Sequence, residues 1–377
     1  MSIPFNRPPV TGRELDYIAD ALTRRHLSGD GYYTKKCQNL LHEMVGGSMA
    51  RLTHSCTAAL EMAAMLCELE PGDEVIMPSF TFVSTANAFV LRRATPVFVD
   101  IRSDTLNLDE AKIEQAITPR TKAIAVVHYA GVCCDMDAIQ AIADRHGLLV
   151  VEDAAQALLS TYKGRPAGSL SAFSCFSFHE TKNIVSGEGG AIVINDAQFD
   201  DRADILREKG TNRVQFRNRV VDKYTWLDIG SSYLPNEMTA AFLLAQLEQA
   251  DNLTATRLHI WEAYHDAFAD LEARGRLRRP IVPADCGHNG HMYYLMLRDR
   301  ADRDAFIARL AEHQVLAPFH YIPLHSAPAG LKWGRAADAM TVTDDTSARL
   351  VRMPLFTGLG EAQDRVIDLA LDWLKAS

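Results

Sequence analysis

The chain has no C-x-x-C pair, and its seven cysteines are an odd number. Cys37, Cys56, Cys67, Cys133, Cys134, Cys175 and Cys286 therefore argue against a disulfide framework and against a structural zinc site. Free thiols fit a reducing compartment. The chain also lacks any apolar run approaching the length of a membrane helix. Its N-terminus, MSIPFNRPPVTGRELDY, has no apolar signal core. A cytoplasmic chain without membrane association is expected. Positive charge is in deficit: 39 Lys and Arg against 48 Asp and Glu, a net charge of −9. That balance argues against nucleic acid as a partner. It leaves room for a local basic pocket for a phosphorylated small molecule. Internal repeats and low-complexity tracts are absent too.

Short apolar runs alternate with helical patterns over the first half. The runs are ARLTH from Ala50, EVIMP from Glu74, TPVFVD from Thr95, KAIAVVH from Lys122, LLVVED from Leu148, AFSCFSF from Ala172 and GGAIVIN from Gly189. Several are apolar without alternation, as strands buried on both faces should be. Between them, TAALEMAAMLCELE is helical until Pro71-Gly72, and MDAIQAIADRHG ends on Gly147. This order predicts an α/β fold with a mostly parallel seven-stranded sheet. A helical stretch from Asn236 to Ala273 reads as a connector. Beyond it, HMYYLMLR reads as a strand, DRADRDAFIARLAEHQ as a helix and FHYIPLHSAPAG as a loop. The expected division is an N-terminal arm (1–14), a large α/β domain (15–249) and a smaller α+β domain (250–377), since 377 residues exceed one small core.

Three places could carry chemistry. Asp153 ends LLVVED, and ligands in open parallel sheets sit outside the carboxyl ends of strands; a helix N-cap is the plainer reading. Ser55, Cys56 and Thr57 open an amphipathic helix after a strand, a ready anion site, or simply a capped helix. Lys182 follows the run FSFHETKN and precedes Gly187, Gly189 and Gly190. A lone lysine is most often solvated, but a strand-end lysine with suppressed charge can form an imine. Pyridoxal phosphate needs all three: donors for its phosphate, a carboxylate for its ring nitrogen and a lysine for its aldehyde. Phe80 and Phe82 could supply an aromatic face for the ring, or pack in the core.

PGDEVIMPSFTFVSTANA, VEDAAQ, CFSFHETKN followed by GEGG, and HYIPLH together resemble the DegT/DnrJ/EryC1/StrS family of sugar-nucleotide aminotransferases. The likeness spans nearly the whole chain. It implies a fold-type I transferase that uses pyridoxal 5'-phosphate, with Lys182 as the imine-forming residue and Asp153 on the ring nitrogen. It further implies Gln156 near the ring hydroxyl, Phe82 stacked on the ring, and Cys56, Thr57 and Ser177 on the phosphate. In the loop that reaches a neighbouring subunit's phosphate the family reads G-x-N-x-R; here it is GSSYL, so Ser232 stands for Asn and Leu234 for Arg. His320, Tyr321 and His325 fall in a segment that resembles the wall for the sugar nucleotide. The implied partners are a nucleotide-sugar substrate, glutamate and further copies of the chain, in a homodimer or higher homo-oligomer. PFNRPPVTGRELDY, LSGDG, REKGTNR, VDKYTW, DIGSSYL and FHYIPLH are similar to members that aminate C4 of a dTDP-4-keto-6-deoxyhexose.

Overall fold

The computed structural model describes residues 2–47 and 49–376. All seven apolar runs are strands: β1 Met49–Thr53, β2 Glu74–Pro78, β3 Thr95–Val99, β4 Thr121–Val127, β5 Leu149–Asp153, β6 Phe173–Ser177 and β7 Gly190–Ile194. Further along lie β8 Tyr293–Met296, β9 Arg335–Ala336 and β10 Leu350–Met353. Among the described residues the central sheet has eight strands rather than seven, ordered β1-β7-β6-β5-β4-β2-β3-β9. The eighth, β9, pairs parallel to β3 from far along the chain. Its two residues carry no apolar signal. Arg335 instead reaches the buried Glu74 at 2.9 and 3.1 Å, and Arg120 meets the same carboxylate at 2.7 Å. Burial works to raise the Glu74 carboxyl, but these hydrogen bonds outweigh it and hold its pKa at about 2.

The strands lack alternation because both faces of the sheet are covered. Ile76, Val97, Val99, Ile124, Val126 and Val150 join one apolar cluster. Their neighbours Val75, Met77, Phe98, Ala123, Ala125 and Val151 join another on the opposite face. The helix Cys56–Leu66 is buried along nearly its whole length in the second cluster. It begins with Ser55, whose hydroxyl accepts from the Ala58 amide at 3.1 Å.

The stretch from Asn236 to Ala273 is three helices, not one: Glu237–Leu247, Ala250–Ala267 and Ala269–Ala273. The break has a packing cause. Ala240, Leu243, Leu244 and Leu247 belong to the first sheet-side cluster. Ile260, Trp261, Tyr264 and Phe268 belong to a separate C-terminal cluster with Tyr293, Leu295, Phe306 and Met353. One straight helix would not serve both. Ile3 enters that C-terminal cluster as well, bridged to residues 314–316 by two backbone hydrogen bonds. The segment expected as a loop, FHYIPLHSAPAG, ends in a short helix, Pro328–Trp333, with proline in its first turn. No helix among the described residues is long and apolar enough to cross a membrane.

Candidate active site

Because β7 runs antiparallel to both of its neighbours, β1 and β6 point the same way, and β5, β4 and β2 follow them in parallel. The carboxyl ends of five strands thus open at one edge. There lies a cavity of about 640 Å³, lined in part by Cys56, Thr57, Phe82, Asp153, Gln156, Ser177 and Lys182. Its far wall comes from the C-terminal part, including His291, His320, Tyr321 and Arg352.

Asp153 is buried, and no helix follows it, so the capping reading falls. Its Oδ2 accepts from the Thr85 hydroxyl at 2.6 Å and its Oδ1 from the Ala155 amide at 3.2 Å. Burial raises its pKa above the ordinary value, against the pull of those bonds and of Lys182. Its neighbour Glu152 points to the other face of the strand. That carboxylate accepts from the Gly168 and Leu170 amides at 3.0 and 2.9 Å and from the Ser171 and Ser174 hydroxyls at 3.1 and 2.7 Å. His128 completes the set at 2.9 Å. The His128 Nδ1 accepts from the Cys134 amide, which leaves Nε2 to donate to Glu152. This buried network fixes the end of β5, and hence the position of Asp153.

Lys182 sits on a loop tied at its base. Phe178 N–H donates to the Gly189 carbonyl, Glu180 N–H to Gly187 and Ser186 N–H to Phe178, at 2.9, 2.9 and 2.7 Å. Gly187 turns the loop back at φ 81°. The Lys182 amine makes no hydrogen bond or ion pair with the described residues. Burial lowers its pKa, opposed by the Asp153 carboxylate and aided by Arg352. Cys56 itself stays a thiol, because burial pushes its pKa well above the usual range.

The start of the helix Cys56–Leu66 serves both readings made of it. Ser55 caps the Ala58 amide, yet the Cys56 and Thr57 amides have no helical partner and border the cavity. The Gly190 backbone passes so close that a Cβ there would lie 2.4 Å from the Cys56 nitrogen. Gly190→Ala must therefore displace backbone at this helix start. Overpacking of this kind costs about 1–3 kcal/mol of folding stability; because the backbone that must shift carries the Cys56 amide, affinity for pyridoxal phosphate should fall as well, on the order of tenfold. Titration of the apoprotein with the cofactor, followed in the visible, measures this; unchanged affinity would remove the helix start from the phosphate site.

Phe82 is 58% exposed and offers its ring to the cavity, whereas Phe80 is core. Phe80 packs against Tyr129 and Tyr321 at centroid distances of 5.2 and 5.4 Å. Gln156 takes the Ala130 amide at 2.7 Å on its oxygen and donates to the Tyr321 hydroxyl at 3.0 Å. Tyr321 is held at φ 41° and stacks on His320 at 3.5 Å. Two of the expected residues lie outside the cavity. His325 is turned away: its Nδ1 and its amide both meet the Ser79 hydroxyl, at 2.8 and 3.0 Å, and its Nε2 lies 3.4 Å from Asp344. Ser232 is exposed and bridged to Glu208, also away from this cavity.

Sequence reasoning missed Arg352, His291 and Arg257, and the arm residues Phe5 and Asn6, all of which line the cavity. The available signal for Arg352 was a lone charge within the apolar strand LVRM. His291 Nδ1 donates to Asn183 Oδ1 at 2.9 Å, since Asn183 Nδ2 is already given to the Asn289 carbonyl. Arg257 holds the Gly290 and His291 carbonyls at 3.1 and 2.6 Å. Free amides and a hydroxyl for a phosphate, a buried carboxylate for a ring nitrogen, an open aromatic face and an unpaired lysine fit pyridoxal phosphate as a set.

Residues 9–370 match the DegT/DnrJ/EryC1/StrS aminotransferase family. The chain is 35% identical to GDP-perosamine synthase of Caulobacter vibrioides over 373 residues, 97% of this chain and 96% of that protein. It superposes on the PLP form of Spr1654 from Streptococcus pneumoniae with a TM-score of 0.91 and 28% identity, covering 100% of this chain and 99% of that one. With DesI, solved in the presence of its TDP-sugar product, the TM-score is 0.89 at 29% identity, over 100% of this chain and 94% of that one.

Proposed function

We propose that this chain, which belongs to the DegT/DnrJ/EryC1/StrS aminotransferase family and is a pyridoxal-phosphate-dependent sugar aminotransferase, moves an amino group from glutamate to C4 of a dTDP-4-keto-6-deoxyhexose. The product is dTDP-4-amino-4,6-dideoxygalactose. The observation that carries the amino transfer is the convergence of Lys182, Asp153 and the Ser55–Thr57 helix start on one cavity. The nucleotide and the position of amination rest on the likeness of segments such as LSGDG, VDKYTW and DIGSSYL to that branch of the family. A DesI structure with a TDP-sugar product supports the same reading.

Pyridoxal phosphate, when bound, supplies the electron sink that stabilises negative charge on the carbon bearing the amine. The chain supplies the rest. Asp153 would hold the proton on the ring nitrogen. Cys56, Thr57 and Ser177 would hold the phosphate, and Phe82 would cover the ring. Lys182 Nζ would take the proton from the glutamate α-carbon and, in the half-reaction with the keto sugar, would deliver one to C4 of the sugar. Positioned proton transfer of this kind contributes about 10²–10⁴-fold. His320 and Tyr321 face the sugar. The active unit is a homodimer, in which the Ser232 hydroxyl would be the group available to donate to the cofactor phosphate of the other subunit. Trp226, Leu227 and Ile229, exposed beside it at 79, 54 and 42%, support a covered surface there.

The pyridoxamine form, given dTDP-4-keto-6-deoxyglucose in a single turnover, should regain its visible band and yield an axial C4 amine by NMR. The second reading is a GDP-linked keto sugar, favoured by the GDP-perosamine synthase relative. Recovery of the band only with that sugar would replace the dTDP assignment and leave the transaminase in place.

A further inference from the structure

The far wall of the cavity holds a cation with nothing to neutralise it. Arg352 lies on β10 opposite Tyr294 of β8. Its Nη2 donates to the Phe319 carbonyl at 3.0 Å, and its guanidinium lies 4.4 Å from the centroid of Phe5. No carboxylate of the described residues pairs with it. Its Nε is buried without a hydrogen-bond partner. Among the described residues with such an orphaned side-chain atom, Arg352 is the one that lines the cavity. Arg257, also in the wall, is by contrast spent on two carbonyls. A buried donor left unpaired costs about 1–3 kcal/mol and is rare in a finished fold. A planar guanidinium with free N–H groups suits a carboxylate held by two parallel bonds.

We propose that Arg352 is the residue that recognises the carboxylate of the amino donor; this rests on the transaminase reading above. The choice between donor and nucleotide follows from chemistry. An amino acid carries its α-carboxylate on the carbon that bears the reacting amine, so that anion must sit beside Lys182. A nucleotide sugar places its diphosphate across the width of a hexose ring from C4. Arg352 stands close enough to Lys182 to depress its pKa, and its neighbours are His320 and Tyr321 at the reacting end of the cavity. The same charge thus has two effects in sequence. Where the Lys182 amine is free, it adds to the lowering of that amine's pKa by burial. Once the donor carboxylate is seated, it is neutralised.

The test separates the two half-reactions of the cofactor-loaded enzyme. L-glutamate is added to the pyridoxal form and loss of the visible band is followed against glutamate concentration; this step involves no sugar, so the sugar assignment can fail without affecting it. Removing one partner of a buried charge pair costs about 2–5 kcal/mol, so Arg352→Gln should raise the glutamate concentration needed by about 30-fold or more. Arg352→Lys, which keeps the charge but not the fork, should fall between. The pyridoxamine form of Arg352→Gln, given dTDP-4-keto-6-deoxyglucose or whichever UDP- or GDP-linked counterpart the wild type accepts, should react at a sugar concentration within about threefold of wild type. Should Arg352→Gln fail to hold cofactor, Arg352→Lys decides: an elevated glutamate requirement supports the assignment and a wild-type one overturns it. An unchanged glutamate requirement in Arg352→Gln, a loss confined to or equal in the sugar half-reaction, or bleaching of wild type by carboxylate-free amines as readily as by glutamate would each overturn it.

Discussion

Lys182→Ala should abolish turnover, with a loss on the order of 10⁴-fold or more. The expectation rests on the isolation of this amine. A lysine that served only solubility would find a carboxylate or point into solvent; this one lines the cavity and is held there by a loop closed by three backbone hydrogen bonds. No other lysine lines the cavity among the described residues, so no neighbour can replace it. The phosphate site proposed at Cys56 and Thr57 is untouched by the change, so the variant should still bind pyridoxal phosphate, reversibly. Borohydride reduction followed by mass spectrometry gives the decisive reading. Wild type should carry one covalent cofactor at Lys182 and the variant none. A variant that still yields a reducible adduct, or retains more than a small fraction of its turnover, would return Lys182 to an ordinary role.

Asp153→Asn should lower turnover by roughly 10²–10³-fold, the scale of removing one fixed charge from a preorganised site. Asparagine is nearly isosteric. Its side-chain oxygen can still accept from Thr85 or from the Ala155 amide, so the strand end should keep its shape. What it cannot do is hold a proton on the ring nitrogen. The same substitution should act in the opposite direction on stability. Burial raises the Asp153 carboxyl above its ordinary pKa. A carboxyl that is harder to ionise folded than unfolded costs stability at neutral pH, and the cost disappears as pH falls through the ordinary carboxylate range, where both states are protonated. Cofactor-free Asp153→Asn should therefore melt higher than cofactor-free wild type at pH 7, with the difference shrinking in acid. A variant that melts lower at pH 7, or that transaminates normally, would show that the charge is not held for the cofactor.

The parts of this molecule that were legible in the sequence are those whose cause is local. The central strands from β1 to β7 announced themselves because both faces of the sheet are covered and most of their residue strings are largely apolar. The sheet side of the cavity was equally plain, since Asp153 and Ser177 end strands and Lys182 stands in the loop that follows Ser177. β9 was not legible, because Arg335 owes its place to Glu74, a partner far away in the chain. The long helical stretch misled for a similar reason: its periodicity is continuous, but the clusters it feeds are different. His325 was read into the cavity wall because it stands in a loop that does line it; only the hydroxyl of Ser79 turns that ring away. Arg352 left one mark in the sequence, a charge inside LVRM, and such a mark cannot be told from a solvated strand face until the opposing wall is known.

The edge strand β9 has a consequence for how the protein is made. A ribosome releases β3 long before Arg335 exists, and at about 5–20 residues per second the gap is on the order of ten to fifty seconds. Through that interval one side of β3 has no ladder partner, while Glu74 beside it lacks the arginine that arrives with β9. An open edge on a nearly finished sheet invites pairing with another nascent chain. Messages translated by closely spaced ribosomes would bring such edges together, and a chain truncated before Arg335 would carry the open edge permanently.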